Sequence, residues 1–157
     1  MLYFFGSGDF PSQVKCMLSC EVKIHYNVSL YERLEKTVTL FGSNLTVIVT
    51  LMLESIQAVV TKEPRLKGVI KRFSLKPART GHNKVILKEE VFDFYEDWAL
   101  SCGMKRNPLI QTILMEVGQI CEEELQPACL ITLEELRAQL KGKLEEVLSS
   151  RLPVVVH

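Results

Sequence analysis

The sequence predicts a single α+β domain, with an antiparallel sheet of four to five strands and three C-terminal amphipathic helices packed on one face or end. Apolar residues alternate along segments of the first half, and helical apolar spacing follows in the second half. The length of 157 residues is ordinary for one domain. Hydrophobic residues make up 47% and charged residues 24% of the chain, which is a globular rather than a disordered composition.

The start of the chain is set apart from this domain. Residues 1–8 resemble the remnant of a protease-cleavable tag or a flexible start, so we assign the domain to residues 9–157. Residues 2–10 also resemble the first strand and glycine turn of the folate-dependent formyltransferases. The catalytic Asn, His and Asp pattern of that family is absent, so the resemblance implies no activity for this chain.

The first strand is predicted over residues 14–26. Apolar side chains occupy every second position from Val14 to Tyr26, with one interruption at Met17. Such alternation is typical of a strand that buries one face and leaves the other in water.

Residues 30–61 allow two interpretations. A helix is predicted to begin at Leu30, because Ser29 and Glu32 have the spacing of a capping box. Residues 42–44 can end this helix and precede a strand over 45–53, or one long helix can continue to residue 60. Threonine, valine and isoleucine crowd positions 46–50, which favours the strand. The stretch nears the length of a membrane span, but Glu54 and its β-branched residues favour a buried core segment, so a membrane partner is not expected.

The next strands are predicted over residues 67–75 and 84–87, joined by a turn-rich loop into a basic hairpin at 67–88. Three helices then follow. The first ends at Gly103, the second begins with Asn107 as its cap and Pro108 in the first turn, and the third begins at a Thr132 and Glu135 capping box.

Charge is distributed unevenly along a chain that is neutral overall. Residues 62–88 contain nine basic side chains and one acidic side chain, whereas residues 89–157 contain six basic and thirteen acidic ones. The predicted basic arm consists of Lys67, Lys71, Arg72, Lys76, Arg79 and Lys84, with Phe73 and His82 as candidate stacking side chains. The predicted acidic docking face consists of Glu89, Asp93, Glu96, Asp97, Glu122, Glu123 and Glu124.

Three targets compete for the basic arm: the acidic helix of its own chain, the acidic surface of a partner, and the phosphates of a nucleic acid. Proteins that bind phosphate directly usually carry net positive charge, and this chain carries none. The sequence therefore favours pairing with protein carboxylates over nucleic acid.

No catalytic or metal-binding pattern is present in the sequence. The five cysteines are odd in number and form no CxxC pair, and the three histidines have no ligand spacing. We therefore expect no enzyme activity, no metal and no cofactor. The N-terminal segment lacks the basic start of a secretory signal, so an intracellular location, cytoplasmic or nuclear, is expected.

These features predict a non-catalytic protein–protein interaction subunit of an intracellular assembly. The apolar segment 45–53, the helix faces at 110–125 and 133–148, and the separated charges would dock on a protein partner or on further copies of the chain. The alternative is a nucleic-acid or anionic-lipid binding module that uses the basic hairpin 67–88.

Overall fold

The computed structural model describes residues 19–71, 81–125 and 132–153, with residues 81–83 described by backbone alone. This part of the chain is mostly helical, and its sheet has two antiparallel strands. The predicted sheet of four to five strands is therefore wrong. In chain order the elements are β1 (Ser19–Tyr26), α1 (Val28–Phe41), α2 (Leu45–Lys62), a 3-10 helix (Pro64–Val69), β2 (Gly81–Lys88), α3 (Glu89–Ser101), α4 (Arg106–Glu124) and α5 (Leu133–Ser150).

The two strands pair along their whole length, with Ser19 opposite Lys88 and Tyr26 opposite Gly81. The alternation predicted for the first strand is confirmed in β1, where Val22, Ile24 and Tyr26 are buried. Residues 14–18 of the predicted strand lie outside the described residues. The inner face of the sheet packs on the helices and joins their apolar core.

The predicted hairpin between residues 67–75 and 84–87 is wrong, because β2 pairs with β1 instead. Residues 64–69 form a 3-10 helix. The Glu63 carboxylate accepts a hydrogen bond from the Arg65 backbone N–H at 3.4 Å, and Pro64 has its φ angle preset for a helical turn. Both features start a helical turn that includes residues 67–69, the beginning of the predicted strand.

Two helices occupy the segment for which a strand was favoured. The side chain of Asn27 accepts from the Leu30 N–H at 2.8 Å, so α1 begins two residues before the predicted start. Gly42, with φ of 60°, ends α1, and the Asn44 side chain accepts from the Val47 N–H at 3.0 Å to begin α2. The break at residues 42–44 is confirmed, whereas the strand at 45–53 and the single unbroken helix are both wrong.

Helix α2 lies at the centre of the fold and contacts the other four helices, the 3-10 helix and β2. Its buried residues form a face much wider than the apolar stripe of a typical surface helix. They are Ile48, Val49, Leu51, Met52, Leu53, Ser55, Ile56, Val59 and Val60. Among the described helices α2 is long and apolar enough to cross a membrane, with mean hydropathy 1.5, and half of it is buried inside this fold.

The C-terminal helices follow the prediction more closely. Gly103, with φ of 66°, follows α3, and the Thr132 and Glu135 capping box is confirmed by reciprocal hydrogen bonds of 3.1 and 3.3 Å. Helix α4 begins at Arg106 with Lys105 as its N-cap, so the predicted cap at Asn107 is wrong by two residues.

The apolar faces of α4 and α5 lie in the core of the chain itself. Leu136, Leu140, Leu144 and Leu148 of α5 are at most 4% exposed, and the apolar side chains of α4 are similarly buried. In this fold the apolar side chains of these faces and of the segment 45–53 therefore pack mainly against the chain's own elements. Burying them already provides the main stabilisation of the fold.

A buried carboxylate ties the 3-10 helix and the end of α5 to α4. Glu116 is 1% exposed, pairs with the Arg151 guanidinium, and accepts a hydrogen bond from the Lys71 backbone N–H at 3.0 Å. Arg151 also donates to the Val69 carbonyl at 3.1 Å. A charge buried this deeply needs such partners, so these contacts fix the two segments against α4.

Candidate interaction surface

The side of the sheet that faces away from the helices forms a mixed charged and apolar surface. Because side chains alternate along a strand, Glu21 and Lys23 of β1 share it with Lys84, Ile86 and Lys88 of β2. All five side chains are exposed. We call these five residues the outer sheet face.

Ile86 is the apolar centre of this face. It is 63% exposed, lies opposite Glu21 in the register, and is flanked along β2 by Lys84 and Lys88. The other large apolar side chains with high exposure in the described residues are Val28, Leu100 and Leu133. One exposed apolar side chain surrounded by charge resembles the centre and rim of a protein interface on a small scale.

The charges of the outer sheet face are only partly neutralised. Lys23 lies directly opposite Lys84, a like-charge arrangement that destabilises a cross-strand pair. Glu21 offsets part of this repulsion, with its Oε1 3.7 Å from the Lys84 Nζ. Lys23 and Lys88 have no carboxylate within ion-pair distance among the described residues. The face therefore carries positive charge that the fold leaves available.

The structure divides the predicted basic arm. The Lys67 ammonium lies 5.4 and 5.5 Å from the ring centres of Phe94 and Trp98, as a cation–π contact inside the fold. Lys71 follows the 3-10 helix, and Lys84 lies on the outer sheet face. Arg72, Phe73, Lys76 and Arg79, together with the side chain of His82, lie outside the described residues.

Sequence reasoning missed Lys23, Ile86 and Lys88 as members of one surface. Lys23 belongs to the polar half of the alternation that predicted β1, so its outward orientation was available from the pattern. Its position beside Lys84 depends on the pairing of β1 with β2. The predicted hairpin had paired the second of these strands with another segment.

The predicted acidic docking face is split between two places. On α3, Asp93 and Asp97 are exposed, and Glu96 pairs with Arg106. At the end of α4, Glu122 pairs with Arg33 at 3.3 Å, beside the exposed Glu123 and Glu124. Glu89 begins α3 and is half-buried.

One of the predicted alternatives was that the basic side chains of residues 62–88 pair with the acidic helix that follows them, which is α3. Within the described ranges, the basic side chains of residues 62–88 form ion pairs with Glu145, Glu63 and Glu21 and with no carboxylate of α3, which Lys67 contacts only through the Phe94 and Trp98 rings. Asp93 and Asp97 of α3, like Lys23 and Lys88 of the outer sheet face, are therefore exposed without an ion-pair partner among the described residues.

Titratable groups with strongly shifted pKa values lie in the core. Burial, with a smaller effect of Glu122, raises the pKa of the Cys121 thiol to about 12. Burial also raises the pKa of Tyr95, whose hydroxyl donates to the Leu53 carbonyl at 2.6 Å. In their protonated forms these groups serve packing rather than acid–base chemistry.

The part of the chain that the structure describes contains no cluster of three or more His, Cys, Asp or Glu side chains able to hold a metal ion. The described cysteines, Cys20, Cys102 and Cys121, form no disulfide with one another. Cys16 and Cys129 lie outside the described residues.

Comparison with known proteins adds no further information: no family model, no curated protein and no solved structure matches this chain.

Proposed function

We propose that this protein is a non-catalytic interaction subunit that binds an acidic protein surface through its outer sheet face. The observation that carries the proposal is the position of Ile86, 63% exposed, among Lys23, Lys84 and Lys88, two of which lack a carboxylate partner in the described residues. An apolar centre with a charged rim gives both affinity and orientation to a protein complex.

The partner that fits this face carries carboxylates around an apolar side chain. The lysine ammonium groups would pair with those carboxylates, and association would relieve the repulsion between Lys23 and Lys84. The exposed Asp93 and Asp97 of α3 provide a separate, negatively charged surface that would suit a basic partner in a larger assembly. The proposal therefore keeps the predicted docking through separated charges. It does not use the helix faces, because these are buried.

A second candidate is binding of a nucleic acid or an anionic lipid surface. The two unpaired lysines on one exposed face favour it, because phosphates are attracted by the same positive charge. Ile86 favours the protein partner over a nucleic acid, since an exposed isoleucine contributes nothing to phosphate contacts. The chain is also neutral overall, with 19 basic and 19 acidic side chains.

The test compares partner recovery by the wild type and by a Lys23→Glu/Lys84→Glu variant expressed in the native cells. A matched control carries Lys36→Glu and Lys143→Glu, which reverse two lysines on α1 and α5. We expect the sheet variant to lose a partner that the control retains. Purified partner should bind the wild type at least about tenfold more tightly than it binds the sheet variant.

Two results would contradict this proposal. One is equal partner affinity for the sheet variant and the control variant, which would place the interface elsewhere on the molecule. The other is tight, salt-graded binding of DNA, RNA or anionic vesicles by the wild type at about 0.15 M salt, which would favour the second candidate.

A further inference from the structure

The strand β1 has a single sheet neighbour within the described ranges, which is β2, so its other side is a sheet edge. The backbone N–H and C=O groups along such an edge can pair with a further strand. Helix α4 reaches this edge near one end, where the Gln111 side chain donates a hydrogen bond to the His25 carbonyl. Among the described residues, no helix or loop forms a hydrogen bond with the backbone of residues 19–24.

The direction of the His25 carbonyl shows which residues of β1 face the edge. Along an antiparallel strand, the backbone groups of alternate residues point toward the paired strand and away from it. The His25 carbonyl accepts from α4 and therefore points away from β2. Glu21 and Lys23 have the same parity as His25, so their N–H and C=O groups are directed to the edge, while their side chains lie on the outer sheet face.

The charges of this edge are complementary to those of a second copy of the same edge. Glu21 and Lys23 carry opposite charges and lie on either side of Val22. In an antiparallel pair with a two-fold axis through Val22, Glu21 of each copy lies opposite Lys23 of the other, which is a favourable cross-strand pair.

Neighbouring registers of the same pairing are unfavourable. An axis through Glu21 would place two glutamates opposite each other, and an axis through Lys23 would do the same for two lysines. An axis between two residues would place inner-face side chains opposite outer-face ones. The charge pattern of β1 therefore selects one register for pairing with itself.

The selected register also keeps the α4 helices of the two copies apart. It places His25 of one copy opposite Ser19 of the other, so the two Gln111 contacts are separated by the length of residues 19–25, about 20 Å. Each α4 therefore meets the joined strands at a different end, and the central residues 20–24 remain available for pairing.

We propose that this chain forms a two-fold symmetric dimer through the β1 edge, in which the two-stranded sheets of both copies join into one sheet. The N–H and C=O groups of Glu21 and Lys23 form the new ladder, in the manner of strand addition at a sheet edge. Lys23, which has no ion-pair partner in the described part of the chain, gains the Glu21 carboxylate of the second copy. The inference goes beyond the function proposed above and does not depend on it, because it uses the edge of the sheet and no other protein.

The dimer would bring two outer sheet faces together as one surface. Pairing leaves the charge of that surface positive, because each copy contributes three lysines and one glutamate. A ladder this short buries little area, so the dimer is weak and forms at high protein concentration.

Sedimentation equilibrium of the purified full chain tests the dimer directly. We expect a reversible monomer–dimer equilibrium at about 0.05 M salt, with weaker association in high salt because the two charge pairs are exposed. A chain that remains monomeric up to about 1 mM would overturn the proposal.

Charge reversal tests the register. Glu21→Lys and Lys23→Glu each convert two favourable pairs of the dimer into two repulsive ones, so either variant alone should dimerise about tenfold more weakly than the wild type. An equimolar mixture of the two variants should recover wild-type association, because each then faces an opposite charge. The double variant Glu21→Lys/Lys23→Glu should recover it as well.

The matched controls carry the same charge changes on α1, as Glu32→Lys and Lys36→Glu, and should alter dimerisation by less than about twofold. Circular dichroism establishes that each variant is folded. A mixture that associates no better than its two components would contradict the register, as would losses of equal size in the controls.

Amide hydrogen exchange tests the edge in the wild type, without any substitution. The Glu21 and Lys23 amides should exchange more slowly as the protein concentration rises, whereas the Val22 and Ile24 amides, which face β2, should be protected at every concentration. Protection of Glu21 and Lys23 that does not change with concentration would show that the edge forms no dimer and would overturn the proposal.

Ile86→Ser separates this dimer from the interface of the proposed function. Ile86 lies on β2, away from the β1 edge, so its substitution should leave dimerisation unchanged. A loss of dimerisation in Ile86→Ser would show that the two copies meet through the outer sheet face, which would contradict pairing through the edge.

Discussion

The two faces of the β1–β2 sheet differ in almost every property, although they are built from alternate residues of the same strands. The inner side chains Val22, Ile24, Val85 and Leu87 are at most 1% exposed. The outer sheet face carries three lysines, one glutamate and an exposed isoleucine. The inner face stabilises the fold, and the outer face includes a like-charge pair that weakens it. Under the function we propose, stability and recognition lie on opposite sides of one sheet.

The inner face should be the more sensitive of the two to truncation. Ile24→Ala removes a side chain that is 0% exposed and leaves a cavity, so we expect a loss of about 3 kcal/mol in the free energy of unfolding. Chemical denaturation followed by circular dichroism measures it. A loss below about 1 kcal/mol would show that the sheet contributes less to the core than its burial indicates.

The contrast between buried and exposed positions can also be tested with charged side chains, using one buried and one exposed carboxylate. Glu116→Ala leaves Arg151 and the Lys71 N–H without their acceptor, so we expect a loss of about 2 kcal/mol. Glu21→Ala is the control, because Glu21 and Lys84 form an exposed pair, and should cost less than about 0.5 kcal/mol. Similar losses in both variants would contradict the role of Glu116 in fixing the 3-10 helix and α5.

On the outer face, truncation should affect binding without affecting the fold. Ile86→Ser replaces a side chain that is 63% exposed, and we expect the free energy of unfolding to stay within about 0.5 kcal/mol of the wild type. Partner affinity should fall about tenfold or more, as expected at the apolar centre of an interface. A variant that is clearly destabilised yet keeps full partner affinity would reverse the assignment of the two faces.

The smallest expected effect is a gain in stability. Lys23→Thr removes the like-charge contact with Lys84 and introduces a residue of high strand propensity, so we expect a gain of a few tenths, about 0.3 kcal/mol. The gain should diminish in high salt, which screens the repulsion in the wild type. Loss of stability in Lys23→Thr would show that Lys23 has a favourable role in the fold.

The elements that the sequence predicted well are those with local signals. The capping box at Thr132 depends on two side chains three residues apart, and the alternation along β1 depends on solvent on one side of the strand. Gly42 and Gly103 ended their helices for a similar reason, since each adopts a positive φ. None of these features depends on the remainder of the fold.

The fold class was wrong because the local signals in α2 conflict. Its buried face is too wide to show a clear one-sided stripe, and its valines, isoleucines and threonines have higher strand propensity than helix propensity. Packing against the other helices decides its conformation. The same dependence on distant contacts hid the β1–β2 pairing, and with it the outer sheet face.

Site-specific photo-crosslinking tests the central claim most directly, namely that the outer sheet face is a protein interface. Benzoylphenylalanine is introduced at Ile86 in the native cells, and at Leu100, which is 81% exposed on α3, as the control. We predict one dominant protein crosslink from position 86 that is absent from position 100 and is lost in a Lys23→Glu/Lys84→Glu background. Equal crosslinking from both positions, or crosslinks from position 86 to nucleic acid alone, would contradict the claim.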